Sequence, residues 1–435
     1  MRPEIQKLSL PMPIAIIGLG LSGESTKKLL EAAGVDRSQV VTFDQKSPAD
    51  FQDPESLFAT KQPKTLCVSP GVPLSAPWIQ KALSRGARLT SELEIASAFL
   101  TSEKIIAVTG SVGKSTTTSI LGEGARIADP NAFVGGNLGT PLALYSRDML
   151  EGKRNKAQFI ILELSSYQLE NYPNLKSDVS ILSHLSPNHL DRYDSLDQYY
   201  QTKINFFSQT TSVGILNRRG GDLPKFKDSI IERFPRLKWV VTDHADTAFK
   251  AKVSSRPNLV GTYNLDNLAL AFAAASYFSW PPESFTAMLK FPGLPHRLEN
   301  CGRKQDILFL NNSKATSIDS VLQSVKSVAA EYPKNRIHLL LGGKDKNLPW
   351  DQLSPLAKKS HLHFYFFGEV REKIRSSSGL TGESFAHLKD CLQYVKNTLS
   401  SGDIVLLSPG GTSWDEFKNF EERGSFFKNW VLTEF

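Results

Sequence analysis

The sequence predicts an α/β protein built from three successive units, and three observations carry that expectation. Short apolar runs alternate with stretches of helical periodicity from one end of the chain to the other. Two of those runs lead straight into glycine-rich loops, at Gly18–Gly23 and at Gly110–Gly113. Two breaks divide the pattern, one near residue 100 and one at Phe291–His296, where two prolines and a glycine interrupt the periodicity. The length of 435 residues suits such a division, at roughly 100–200 residues per domain.

Taken in order, Ile14–Ile17, Val40–Phe43, Ile105–Val108, Phe159–Leu162 and Val179–Leu182 read as buried parallel strands. Ile307–Leu310, Ile337–Leu341, Phe364–Phe367 and Ile404–Leu407 read the same way further on. Helices are expected at Glu24–Ala33, Glu92–Phe99, Asp197–Phe207, Asp319–Ala330 and His387–Leu399. The expected domains are 1–98 and 296–435, both Rossmann-like, and between them 99–295, a P-loop-type unit with a mostly parallel sheet. In such layers ligands bind at the carboxyl ends of the strands.

Composition narrows the function. With 51 Lys and Arg against 44 Asp and Glu the net charge is +7, but the excess is dispersed, its densest runs being Lys153–Lys156 and Arg218-Arg219. A nucleic-acid face clusters its cations among aromatic platforms, so phosphate-bearing small ligands are the expected anionic partners and nucleic acid is not. No apolar run approaches the roughly 18–20 residues of a membrane span, and Pro13–Leu21 runs into a glycine turn as a first strand does. A cytoplasmic protein, a monomer, is expected. Three scattered cysteines, Cys67, Cys301 and Cys391, make neither a disulfide framework nor a thiolate zinc site.

Both glycine loops call for phosphates. Gly18-Leu19-Gly20-Leu21-Ser22-Gly23 follows a strand and opens a helix, and Asp44 follows Gly23 by 21 residues at the next strand end. Glycines there let a diphosphate approach the helix N-terminus, and the acid can take a ribose hydroxyl. The spacing does not separate a nicotinamide dinucleotide from another diphosphate such as a UDP-sugar. Gly110-Ser111-Val112-Gly113-Lys114-Ser115-Thr116 is a shorter relative of the common phosphate loop, with Val108 where a further glycine usually stands. Its backbone N–H groups suit phosphates, Lys114 the terminal ones, and Ser115 or Thr116 a magnesium ion.

Glu163 closes the apolar strand beginning at Phe159, and His189 and Asp191 follow the next strand. Carboxylates and imidazoles at successive strand ends beside a phosphate loop suit Mg²⁺. Lys203, among Tyr199, Tyr200, Phe206 and Phe207, reads from composition alone as a solvated stem.

The phosphate loop, Glu163–Glu170 and Pro187–Arg192 together resemble the Mur ligases, ATP-dependent amino-acid ligases of peptidoglycan precursor synthesis. Ser69-Pro70-Gly71-Val72-Pro73, Asn312–Thr316 and Leu407–Pro409 with Ser413–Gly424 narrow the resemblance to the branch that adds D-glutamate to UDP-N-acetylmuramoyl-L-alanine. The resemblance spans all three units. It implies ATP and Mg²⁺, the ion held by Ser115, Glu163, His189 and a Lys203 carbamylated by CO₂. It implies ATP contacts at Gly110–Thr116, Asn264, Asn267 and Arg297, and a catalytic set of Lys114, His189, Lys203 and Lys314. The UDP-muropeptide falls on Gly20, Leu21, Ser22, Asp44, Ser69, Pro70, Gly71, Asn137, Ser165 and Gln168. D-Glutamate falls on Lys314, Thr316, Lys346, Ser413 and Phe420.

The chain departs from the family pattern at Val112, usually asparagine, at Asn188 and Asn312, usually acids, at Tyr263, usually histidine, and at Gly410–Thr412. None of these removes Lys114, Glu163, His189, Lys203 or Lys314. The competing readings are a sister ligase, a nucleotide-binding homologue without ligase activity, and a dehydrogenase using the first glycine loop.

Overall fold

The computed structural model describes residues 8–171, 174–188, 192–253 and 259–435. His189 and Asp191 lie outside them. Sixteen strands form three sheets among the described residues. The first has the order β2-β1-β3-β4, with β1 at Ile14–Ile17, β2 at Val40–Phe43, β3 at Thr65–Val68 and β4 at Arg88–Thr90, all parallel.

The second, also parallel, has the order β10-β9-β8-β5-β7-β6. Its strands are β5 (Lys104–Thr109), β6 (Phe133–Gly136), β7 (Phe159–Glu163), β8 (Ser177–Leu182), β9 (Thr210–Asn217) and β10 (Lys238–Thr242). In the third, β11 (Glu299–Lys304) pairs antiparallel with β12 (Ile307–Asn311). From there the order runs β12-β16-β13-β14-β15, parallel throughout, with β13 at Ile337–Gly342, β14 at Leu362–Phe367, β15 at Gly382–Phe385 and β16 at Ile404–Gly410.

Alternation along the strands explains the layers, because successive side chains point to opposite faces of a sheet. Ala15, Ile17, Val41 and Leu66 face one side of the first sheet with Leu57 and Ile79. Ile14, Ile16, Val40 and Cys67 face the other side, in the same apolar core as Ile105, Ala107, Ile160 and Leu162 of the second sheet. The first two sheets therefore share one compact unit, the chain up to Val253 together with Asp266–Leu289. Lys290–Phe435, with the stretch ending at Leu265, forms the other. There Leu308, Leu339, Phe366 and Leu406 pack on one face of the third sheet, and Phe309, Leu340, Phe367 and Leu407 on the opposite face.

Several helices start where a side chain replaces the missing helical partner: Ser91, Ser195, Ser317 and Asn419 each accept from a backbone N–H three residues on. The helix expected from Glu24 begins at Leu21, at the end of the glycine loop. The helix expected over Asp197–Phe207 is two elements, an α-helix at Leu196–Ile204 and a 3₁₀ turn at Asn205–Gln209. The tighter turn lets the adjacent Phe206 and Phe207 both bury. Among the described residues no helix is long and apolar enough to cross a membrane.

Candidate functional site

The first unit places its chemistry at the carboxyl ends of β5, β7 and β8. β5 ends at Thr109, and the loop Gly110–Gly113 leads into the helix Lys114–Ala128. Gly113 sits at φ +87°, and a Cβ there would stand 2.4 Å from Asn267 Oδ1, so only glycine fits. It offers no side chain to cap the helix, which leaves the first-turn N–H groups directed at an anion.

The loop is fixed from the neighbouring strand. Ser111 N–H donates to His184 O at 2.8 Å, Ser111 Oγ donates to Ser186 O at 2.9 Å, and Ser183 Oγ donates to Val112 O at 2.6 Å. Tyr199 O–H reaches Ser111 Oγ at 3.1 Å, and Thr117 Oγ1 reaches Asn267 Oδ1 at 3.2 Å. Ser115 and Thr116 are both buried behind the loop.

Two lysines converge on one carbonyl. Lys114 Nζ donates to Gly110 O at 2.8 Å and Lys203 Nζ to the same oxygen at 3.0 Å. Lys203 is 1% exposed, with its ammonium group 5.0 Å from the Tyr199 ring centre. Burial above all, and then the Lys114 charge, hold its pKa far below the ordinary lysine range against the pull of Glu163. The solvated stem that composition suggests is therefore a buried amine biased towards its neutral form.

Glu163 ends β7 at 2% exposure. Its Oε1 accepts from Asn137 Nδ2 at 2.6 Å, while Oε2 is buried with no hydrogen-bond partner among the described residues. An orphaned carboxylate oxygen in the interior is costly. Set beside a phosphate loop and a second potential oxygen ligand at Ser115, it is the donor that a hard divalent cation takes. The residues present thus fit Mg²⁺.

A pocket of about 420 Å³ opens between the first glycine loop and the end of β6. Gly20, Leu21, Ser22, Asp44, Ser69, Pro70, Gly71, Asn137 and Gln168 all line it. Ser165 does not: it caps the helix Ser166–Leu169, in a reciprocal box with Gln168. Asp44 accepts from Leu19 N at 2.7 Å and from Lys46 N and Ser47 N at 2.8 Å. Those N–H groups hold its carboxyl below the usual range and make it a brace for the loop as well as a pocket wall.

In the second unit Lys314 Nζ stands 3.9 Å above the Phe420 ring centre, and Ser413 is 2% exposed. Lys346 is exposed on the loop after β13. Asn264, near the start of the helix Thr262–Tyr277, is buried and donates to Val260 O at 2.7 Å. Asn312 accepts from Leu298 N at 3.1 Å and donates to Ser408 Oγ at 3.3 Å, so its amide uses both ends where an acid would offer only acceptors.

Sequence reasoning passed over Arg423, which is fully buried. Its guanidinium donates to Ser313 Oγ (3.0 Å), Ser313 O (2.9 Å), Gly411 O (3.2 Å) and Thr412 O (3.0 Å). It clamps the loops that carry Lys314 and Ser413 to the helix that carries Phe420. Burial pushes its pKa down to about 10. Its place in the Ser413–Gly424 stretch was the one signal available.

The model of the Mur ligase middle domain matches residues 108–275. UDP-N-acetylmuramoylalanine–D-glutamate ligase of Haemophilus influenzae is 32% identical over 83% of this chain and 83% of its own. The enzyme of that name from Natranaerobius thermophilus is 30% identical over 96% and 97%. Among solved structures, the MurF ligase of Thermotoga maritima in complex with ADP shares the fold at a TM-score of 0.60 and 11% identity, over 100% of both chains. UDP-N-acetylmuramate-alanine ligase MurC of the same organism does so at 0.56 and 14%, over 98% and 100%. By its curated relatives the chain is of the ligase class that serves peptidoglycan synthesis. The chain belongs to the Mur ligase family.

Proposed function

We propose that this chain joins D-glutamate to the free carboxylate of UDP-N-acetylmuramoyl-L-alanine, driven by cleavage of ATP to ADP and phosphate. The observation that carries the reading is the convergence of Lys114 and Lys203 on Gly110 O, beside Glu163 Oε2, which has no hydrogen-bond partner among the described residues. In this reading 1–98 binds the UDP portion, 99–295 binds ATP, and 296–435 binds the amino acid.

The muropeptide carboxylate attacks the γ-phosphorus, the bond to the β–γ bridging oxygen breaks, and an acyl phosphate and ADP result. An anion approaching a polyanion needs preorganised positive charge. Lys114 and the first-turn N–H groups of its helix supply it. The D-glutamate amine then attacks the acyl carbonyl, phosphate leaves, and the amine proton passes to solvent or phosphate. Lys314 and Ser413 orient the acceptor, and Asn264, Asn267 and Arg297 hold the nucleotide.

Mg²⁺ would be held by Ser115, Glu163, His189 and a carbamylated Lys203, and would neutralise phosphate charge. Carbamylation needs an unprotonated amine to attack CO₂ and shed a proton. The burial of Lys203 supports that state. The product is an anion where an ammonium would repel the ion.

The test is phosphate release from ATP with Mg²⁺, bicarbonate, the UDP-muropeptide and D-glutamate, omitting one component at a time. Release is expected only with both muropeptide and D-glutamate, and not with L-glutamate. ATP binding without release under any combination would replace this reading with that of an inactive homologue.

A further inference from the structure

The loop that joins β6 to the helix Leu142–Leu150 is rich in glycine, Gly135-Gly136-Asn137-Leu138-Gly139, and has few side chains with which to anchor itself. Gly136 sits at φ +93°, and a Cβ there would stand 2.4 Å from Glu163 O. Gly136, Asn137, Gly139 and Pro141 form one wall of the 420 Å³ pocket. The position of that wall depends on what holds its two ends.

One end is held within the second sheet. Asn137 N–H donates to Glu163 O at 2.8 Å and Asn137 Nδ2 to Glu163 Oε1 at 2.6 Å. The other end is the N-terminus of the helix Leu142–Leu150, where Pro141 is the N-cap residue and no side chain of its own caps the first turn. That deficit is met from the helix that follows the first sheet. Glu92, in the helix Glu92–Ser97 after the first sheet, accepts from Ala143 N at 2.6 Å with Oε1, across 51 residues of sequence. Ser146 Oγ donates to Ala96 O at 2.9 Å and makes a second rung between the same two helices.

We infer that Glu92 is a positioning residue for the UDP-muropeptide pocket: it fixes one end of the Asn137 wall to the helix that follows the first sheet, as Glu163 fixes the other end to the second sheet. The inference rests on the reading above that this pocket takes the UDP-muropeptide. Two glutamates thus pin one glycine loop, one from each side. Glu92 is 5% exposed, and burial pushes its carboxyl up to about 7, against the backbone N–H groups of Ala143 and Leu142. Ordinary core packing does not call for an acid at such a position.

The test uses the full chain and two variants. In Glu92→Ala the helix start loses its acceptor. KM for the UDP-muropeptide should rise about fivefold to tenfold, while kcat and KM for ATP change by less than about twofold. Glu92→Gln keeps an amide oxygen for Ala143 N and should restore KM. Hydrogen exchange of the ligand-free protein should be faster across residues 137–144 in Glu92→Ala and unchanged in Glu92→Gln.

An unchanged muropeptide KM in Glu92→Ala, or unchanged exchange over 137–144, overturns the inference. Equal losses in kcat and in both KM values also overturn it, because they indicate a merely structural acid. A wild-type protein that turns over nothing with the muropeptide overturns the functional reading instead, and with it the assignment of the pocket.

Discussion

Two charged clusters with buried centres invite comparison, one at the strand ends of the second sheet and one at the strand starts of the third. In the third sheet Asp403, just before β16, binds Arg336 through two bonds of 2.8–2.9 Å and accepts from Ser400 N at 2.8 Å. It also contacts His338 Nε2 at 3.0 Å, whose Nδ1 meets Tyr365 O–H at 2.9 Å, and that hydroxyl meets Thr398 Oγ1 at 3.3 Å. Every member named has a partner. In the second sheet two lysines share Gly110 O and one Glu163 oxygen has no partner among the described residues. Both clusters are charged, with Asp403 and His338 buried in one and Glu163 and Lys203 in the other; they differ in completeness. A closed network specifies a core, whereas an open one retains binding capacity for a ligand.

The comparison can be broken first at Lys203. Replacing it with Met should reduce kcat by roughly 100-fold or more, the scale of a lost electrostatic contribution, and leave Tm unchanged or higher, since an apolar chain fits a 1%-exposed site. Phosphate release and thermal unfolding check the two halves. A variant that loses Tm in proportion to activity would make Lys203 a structural residue like those of the closed cluster.

The mirror experiment is Asp403→Asn. It should cost about 2 kcal/mol of stability with kcat changed by less than about twofold. Burial works against the Asp403 carboxylate, yet Arg336, Ser400 N–H and His338 together hold its carboxyl below the usual range. A depressed folded-state value gives stability that is present above the unfolded value of 3.8 and is lost as pH falls through the folded one. The stability gap between wild type and Asp403→Asn should therefore close below pH 3.8, as denaturant titration at several pH values would show.

The smallest expected effect belongs to Glu92, whose carboxyl is raised from 4.5 to about 7. A raised folded-state value gives stability that is full below pH 4.5 and lost as pH rises through about 7. Glu92→Gln should then gain Tm over wild type at pH 8 and lose that advantage by pH 4.5. A gain that does not vary with pH would place the effect in packing and not in the charge.

The sequence made some of this plain and hid the rest for identifiable reasons. β1 and β2 stand where their apolar runs begin and end, because buried parallel strands must be apolar on both faces. β11, β15 and β4 were not anticipated: Glu299–Lys304, Gly382–Phe385 and Arg88–Thr90 are sheet-edge strands in which polar or small residues outnumber apolar ones, so no apolar run marks them. The buried β9 was also missed, since its Thr-Thr-Ser start resembles a loop. At the site, the Gly-Lys-Ser loop and Glu163 were legible, whereas Glu92 was read only as part of a helix and Arg423 only as part of the Ser413–Gly424 stretch.

By itself the sequence determined the alternation of strand and helix, the two glycine loops and the acid closing β7. Those features depend on backbone conformation and residue order over a few positions. Only the tertiary structure decided that Lys203 is a buried amine beside Lys114, that one oxygen of Glu163 lacks a partner among the described residues, and that Glu92 caps a helix 51 residues away. Protonation and hydrogen-bond completeness are set by burial and by neighbours distant in sequence, and no local pattern encodes them.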